Sequence, residues 1–181
     1  IQEGKKADVI HAHNVLAHVA DLNGFVAGIH LLLKEDGIAI IEAPYLKDLI
    51  DQCEFDTIYH EHLCYFSLIS LDHLIERHGM VIQDVERVPI HGGTLRLIVT
   101  KASSSSRSSA VQNLLRNEAN WGMDSFEYYN DFAQRVEVLK ESLCSLLASL
   151  KEDGKRIAAY GAAAKGSTLL NCFGIGQRFL D

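Results

Sequence analysis

Clustered basic charge is what this chain most plainly lacks. It carries 17 Lys and Arg against 24 Asp and Glu, a net charge of -7. Affinity for a phosphate backbone rests on grouped cations, so no nucleic-acid partner is expected. No apolar run approaches the ~20 residues that cross a bilayer, so no membrane role is expected either. The opening IQEGKKAD has no apolar stretch of the kind a signal peptide needs. The four cysteines, Cys53, Cys64, Cys144 and Cys172, lie far apart with no CxxC pair. That spacing, in a chain this size, argues against a disulfide framework and reads as buried, reduced thiols in a cytoplasmic protein. No Walker loop, no GxGxxG turn and no internal repeat is present. What remains is ordinary globular composition, 48% hydrophobic and 23% charged, in a length that holds one domain or one and a half.

The densest chemistry lies in Glu54–Ser67, EFDTIYHEHLCYFS, which packs Tyr59, His60, Glu61, His62 and Tyr65 into one short stretch. No secondary structure needs that mixture for its own stability. If the stretch is extended, His60 and His62 share one face and Tyr59 and Glu61 the other. If it is helical, Tyr59 and His62 meet. Either geometry sets an imidazole, a phenol and a carboxylate together, which suits a base that removes a proton beside a donor that steadies an oxyanion. Two other readings stand beside that one: a metal site, for which Cys64 or His91 would have to complete the ligands, and a solvated polar loop.

Around this stretch the pattern alternates. Ala7–His13 reads as a strand, Asn14 as a polar corner, and NVLAHV as the start of a helix. Asn14 and His18 would then share a helical face just beyond a strand's carboxyl end, where open α/β sheets bind ligands; a helix cap plus a surface histidine is the alternative. Asp21–Lys34 has helical spacing and breaks at Asp36-Gly37. Gly37–Ala43 is a continuous apolar run closed by Pro44, as for a strand buried on both faces, completing a βαβ unit. Ser70–His78 predicts a helix capped by Ser70. Met80–Val88 and Thr94–Lys101 predict two strands, and the joint PIHGG is too short for a crossover, so they must be antiparallel. In that joint the paired glycines are explained by turn geometry, although His91 and Arg96 could face a ligand. A parallel sheet ending in an antiparallel strand is the back half of a methyltransferase-type sheet, whereas a dinucleotide dehydrogenase keeps its sheet parallel.

Ser103–Ser109, SSSSRSS, marks a boundary. We expect 1–102 to form the back half of a Rossmann-like domain, and 103–181 a helical segment leading into a second α/β domain. A short helix runs to about Asn120. A long one follows from Asp124, with Val136, Leu139, Leu143, Leu146, Leu147 and Leu150 as its apolar stripe. Arg156–Tyr160 reads as a strand, GAAAKG as a tight loop, and Ser167–Cys172 as a helix. Backbone amides and a helix N-terminus beside Lys165 make an anion site, better suited to a sugar-nucleotide diphosphate than to ATP; a packed βα corner is the alternative.

The stretches HNVLAHVAD, GIAIIEAPYL, FDTIYHEHLCYFS, HGGTLR and YGAAAKGSTLLN together resemble the S-adenosylmethionine-dependent C-methyltransferases that act on nucleotide-linked deoxy-ketosugars. IYHEH and YGAAAKG are specific to that family. The resemblance implies a class I methyltransferase sheet and a base that removes the proton alpha to a sugar ketone. By matching position His62 would be that base, with Tyr59 and Glu61 orienting it and stabilising the enolate. Asn14 and His18 would line the same cleft, Ala12 and His13 would contact the methyl donor, and Tyr160, Gly161, Lys165 and Ser167 would hold the nucleotide-sugar substrate. Members of the family begin with a zinc-binding domain and a glycine-rich cofactor loop. Neither lies in these residues, so zinc is expected only in a missing N-terminal part and no metal within the chain. The chain reads as a piece of a longer enzyme, inactive alone and with exposed sheet edges.

Overall fold

The computed structural model describes residues 4–101, 106–161 and 163–181. Residues 1–3, residues 102–105 at the start of the serine-rich boundary, and Ala162 of the GAAAKG loop lie outside the described residues. Four strands form one sheet: β1 (Ala7–His13), β2 (Leu33–Pro44), β3 (Met80–Val88) and β4 (Thr94–Lys101), in the order β1-β2-β4-β3. β1 and β2 are parallel, and β4 runs antiparallel to both of its neighbours. The expected βαβ unit is completed by α1 (Leu22–Leu32), whose N-terminus is capped by the Asp21 carboxylate accepting from the Gly24 amide. The mixed α/β architecture follows from these connections. A crossover helix permits a parallel neighbour, and a five-residue joint permits only a hairpin.

β2 differs from its expected bounds. It begins at Leu33, paired with Ala7, and rejoins the register at Ile38 opposite Val9, so Lys34–Gly37 bulge out of the ladder. The turn signal at Asp36-Gly37 therefore marks a bulge inside a strand. Nor is β2 covered on both faces. Ala39, Ile41 and Ala43 are fully buried while Ile38 and Ile40 are half-exposed, and in β4 Leu95, Leu97 and Val99 are buried where Arg96 and Ile98 are not. A single helical layer covers the buried face. The short α2 (Leu46–Asp51) follows β2, and the layer consists of α1, α3 (Leu68–Arg77) and α4 (Ser109–Trp121), which touch in that order. Val26, Ile29, Leu68, Leu71, Ile75, Val111 and Leu114 close that core, so α4 packs with the sheet although it follows the serine-rich boundary.

The cap of α3 is Ser67, not Ser70. The Ser67 hydroxyl accepts from the Ser70 amide, and Ser70 reaches back to the Ser67 amide, a reciprocal capping box. Glu118 of α4, wholly buried, accepts the next two amides, Leu68 at 2.7 Å and Ile69 at 2.8 Å. A helix start offers four unpaired N–H groups, and this one meets them with two serines and a carboxylate.

The long helix α5 spans Phe132–Glu152, and the segment expected to begin it instead forms a 3-10 turn at Phe126–Tyr129. Its stripe divides. Val136, Leu143 and Leu147 pack against a second core of Phe55, Phe173, Ile175 and Phe179, while Leu139 and Leu146 face solvent. Arg156–Tyr160 is no strand: among the described residues no strand pairs with it, and its ties are the Asp181 amide to the Ile157 carbonyl and the Ile157 amide to the Asp181 carboxylate. α6 begins at Ala164, not Ser167, and runs to Phe173, so Lys165 lies in its first turn.

Candidate active site

The Glu54–Ser67 stretch spans the gap between the two cores. Phe55, near its start, is buried in the second core and stacks on Phe173 with ring centroids 4.7 Å apart. Phe66, near its end, is buried in the sheet core, where the Leu46 amide donates to its carbonyl. An aromatic anchor at each end leaves the polar residues between them free of packing duty. A second tether holds the middle: the Leu63 amide donates to the Ala17 carbonyl at 2.8 Å, and His18 Nδ1 donates to the Glu61 carbonyl at 2.9 Å.

His62 is held on two sides. Its Nδ1 lies 2.7 Å from the Thr57 carbonyl oxygen. A carbonyl only accepts, so Nδ1 carries the proton and the neutral ring keeps its lone pair on Nε2. The Tyr59 hydroxyl lies 3.2 Å from Nε2 and donates to it. The Tyr59 ring packs 4.3 Å from the imidazole, the His18 ring at 4.9 Å, and the Tyr65 ring edge-on at 6.4 Å. Burial pushes the phenols of Tyr65 and Tyr45 up, Glu118 adding to the effect at Tyr45, so both stay protonated.

These side chains face a cavity of about 170 Å³ that also takes in Asn14, Tyr45, Glu54, Cys64, His91, Gly93 and Lys165. Asn14 is not on a helix with His18, as its spacing suggested. It stands in the left-handed region at φ 52, its amide donating to the Glu42 carbonyl, and His18 ends a single 3-10 turn. The two residues reach the cavity together by this tighter route. Among the described residues, Asn14 Oδ1 is buried with no hydrogen-bond partner, as is Tyr45 Oη.

Residues 89–181 match the family described as the C-methyltransferase C-terminal domain. The chain belongs to this C-methyltransferase family. Residues 1–85 match a family described as a methyltransferase domain. The C-methyltransferase NovU of Streptomyces niveus is 36% identical over 173 residues, covering 95% of this chain and 41% of that protein. The chain thus spans about two fifths of the length of the curated relative it matches. Among solved structures, magnesium protoporphyrin IX methyltransferase from Synechocystis PCC 6803 with bound SAH aligns with a TM-score of 0.43 at 14% identity, over 54% of this chain and 46% of that one. The LepI complex with SAM gives 0.44 at 10% identity, over 54% and 27%.

Within this family member, the residues expected at the site divide into those lining the cavity and those outside it. His62, Tyr59, Asn14, His18 and Lys165 line one cavity. Glu61 does not: its side chain is 60% exposed and its nearest charged partner is His60, at 3.9 Å. Ala12 is buried in the sheet core, and His13 turns to the Glu42 carboxylate at 3.1 Å and to the His11 ring. Tyr160, Gly161 and Ser167 are exposed and outside the cavity. Glu54 is the one carboxylate among the cavity-lining described residues. It was legible as part of the stretch but carried no signal of its own. Burial pushes its carboxyl up, and the Lys165 charge pulls it partly back. The His-Gly-Gly turn is shaped around these acids. A Cβ at Gly92 would fall 2.0 Å from Glu54 Oε1, and one at Gly93 would fall 2.2 Å from Asp48 Oδ2. Both glycines also stand at positive φ, 88 and 131, so close approach joins turn geometry in requiring them.

Proposed function

We propose that the protein is a cytoplasmic S-adenosylmethionine-dependent C-methyltransferase whose substrate is a nucleotide-diphosphate-linked keto-deoxysugar, with His62 as the base. The observation that carries this reading is the clamp on His62: the Thr57 carbonyl holds the proton on Nδ1, leaving Nε2 as the basic nitrogen in a cavity. Nε2 has one lone pair, so the Tyr59 hydroxyl that donates to it turns aside as Nε2 takes the proton alpha to the sugar ketone. The C–H electron pair becomes the C=C of an enolate, and the carbonyl π pair moves to oxygen. The bound methyl donor supplies an electrophilic sulfonium methyl, to which the enolate carbon is the matching nucleophile. His18 steadies the base stretch through the Glu61 carbonyl, which gives Glu61 a backbone part in the site.

Asn14 fits the donor. Its Oδ1 is a buried acceptor without a partner, at the carboxyl end of a parallel strand, where a ligand N–H or O–H would satisfy it. A cavity of about 170 Å³ is well below the ~300–1,000 Å³ of pockets that engulf drug-sized ligands. It suits a sugar ring, and we place the nucleotide diphosphate outside it, toward the exposed Tyr160, Gly161 and Ser167.

The test is His62→Ala in the intact protein, assayed for methyl transfer to a thymidine-diphosphate keto-deoxysugar. A lost general base lowers turnover by about 10²–10⁴-fold, and the sugar nucleotide should still bind. Near-normal methylation by that variant would remove His62 as the base.

A further inference from the structure

The Tyr59 hydroxyl, which donates to His62 Nε2 and must turn aside when that nitrogen takes a proton, is a neutral donor and brings no charge to balance an enolate oxygen. The cavity also holds an ammonium donor: among its described lining residues Lys165 is the one lysine or arginine. From these placements we infer that the Lys165 ammonium binds the ketone oxygen of the sugar and carries its charge in the enolate, with Glu54 as the carboxylate that positions it. The inference rests on the ketosugar reading above and deepens it.

Three independent observations lead there. First, Lys165 lies in the first turn of α6, at the positive end of the helix dipole, where a cation works against the helix. Helix stability does not explain a lysine there, whereas an anion binding in front of it would be favoured by both the ammonium and the dipole. Second, among the described residues Lys165 makes no hydrogen bond or ion pair, and its felt neighbour is Glu54, close enough to influence that carboxyl without forming a salt bridge. Its donors are therefore free for a ligand. Third, α6 packs directly on the Phe55–Thr57 turn, with Phe173 stacked on Phe55. The packing that fixes Lys165 is thus the packing that presents the Thr57 carbonyl to His62. Base and electrophile are set by one contact, on a cavity too small to hold a ring and a diphosphate together.

The chemistry balances without further reagents. The proton leaves carbon for His62 Nε2, the C–H pair forms the C=C bond, and the oxygen gains the π pair beside a lysine that keeps its own proton. Reversal in heavy water returns a deuteron to the same carbon.

The experiment follows that reversal in the intact protein, using a thymidine-diphosphate 4-keto-6-deoxyhexose in deuterium oxide with no methyl donor. Deuterium uptake is read by NMR, and thymidine diphosphate binding is measured by titration calorimetry. Lys165→Met should slow exchange at saturating substrate by about 10²–10³-fold, the scale of losing one oxyanion donor. It should leave thymidine diphosphate affinity and the melting curve unchanged. Lys165→Arg, which keeps the charge, should recover part of the exchange. If Lys165→Met instead weakens thymidine diphosphate binding and exchanges normally at saturation, Lys165 is a diphosphate ligand and the inference is overturned. If wild type exchanges and Lys165→Met matches it in both readouts, the inference falls while the ketosugar reading stands. If wild type catalyses no exchange, both fall.

Discussion

The two cores of this chain are built in opposite ways. The sheet core is made of aliphatic side chains on interlocked strands, with Leu33, Ala39, Ile41, Leu95, Leu97 and Val99 wholly removed from water. The second core holds four buried residues, three of them phenylalanine, and borrows the rest from half-exposed positions on α5 and α6. One of its phenylalanines, Phe55, comes from the far side of the molecule's sequence, at the head of the Glu54–Ser67 stretch. The first core holds itself together and the second is held in large part by what it grips. The proposed chemistry sits at the seam between them, with His62 held from both sides and Lys165 carried on the second.

This contrast is open to direct attack. The largest effect is expected from Leu97→Ala, which leaves a cavity in the closed core and costs about 4 kcal/mol. Urea unfolding followed by circular dichroism should show the whole transition moved to lower denaturant. Phe55→Ala should cost less, about 3 kcal/mol, at the low end for a buried phenylalanine because its surroundings are partly open to water. Its signature should be local: amide exchange should quicken in α6 while the strands stay protected. Uniform loss of protection across both cores would mean that they unfold as one. The smallest effect is expected from Glu54→Gln. Burial raises the Glu54 carboxyl in the folded chain, so the folded state binds this proton more tightly than the unfolded chain does. Stability from this group is then present below the unfolded carboxylate value and is lost as pH rises through the folded one. The glutamine variant should therefore melt progressively higher relative to wild type as pH rises across that window; a constant difference at all pH values would show that the carboxyl is not perturbed.

The sheet was readable in the sequence because local rules decide it. A crossover helix makes β1 and β2 parallel, and a five-residue joint makes β3 and β4 antiparallel, whatever the rest of the chain does. Ser67 and Ser70 are both serines three apart, and the motif alone cannot say which is the cap when each serves the other. Arg156–Tyr160 has strand composition, but a strand exists only when a neighbour pairs with it. The Tyr59–His62 contact was visible as the helical alternative for that stretch, since residues three apart meet within one turn. The approach of Lys165 to the same cavity was not visible. It depends on Phe55 meeting Phe173, a contact across most of the chain, and on a helix that starts three residues before its expected N-terminus.

Glu118 gives the Glu54–Ser67 stretch a date of completion. On the ribosome, residues 54–67 emerge well before α4 does, and until residue 118 has followed, the amides of Leu68 and Ile69 have only water to bind. Phe55 waits longer still, for Phe173. The residues proposed to do the chemistry are thus made early and set late, and a nascent chain halted anywhere between α3 and α6 would carry every side chain of the proposed base motif without its finished geometry.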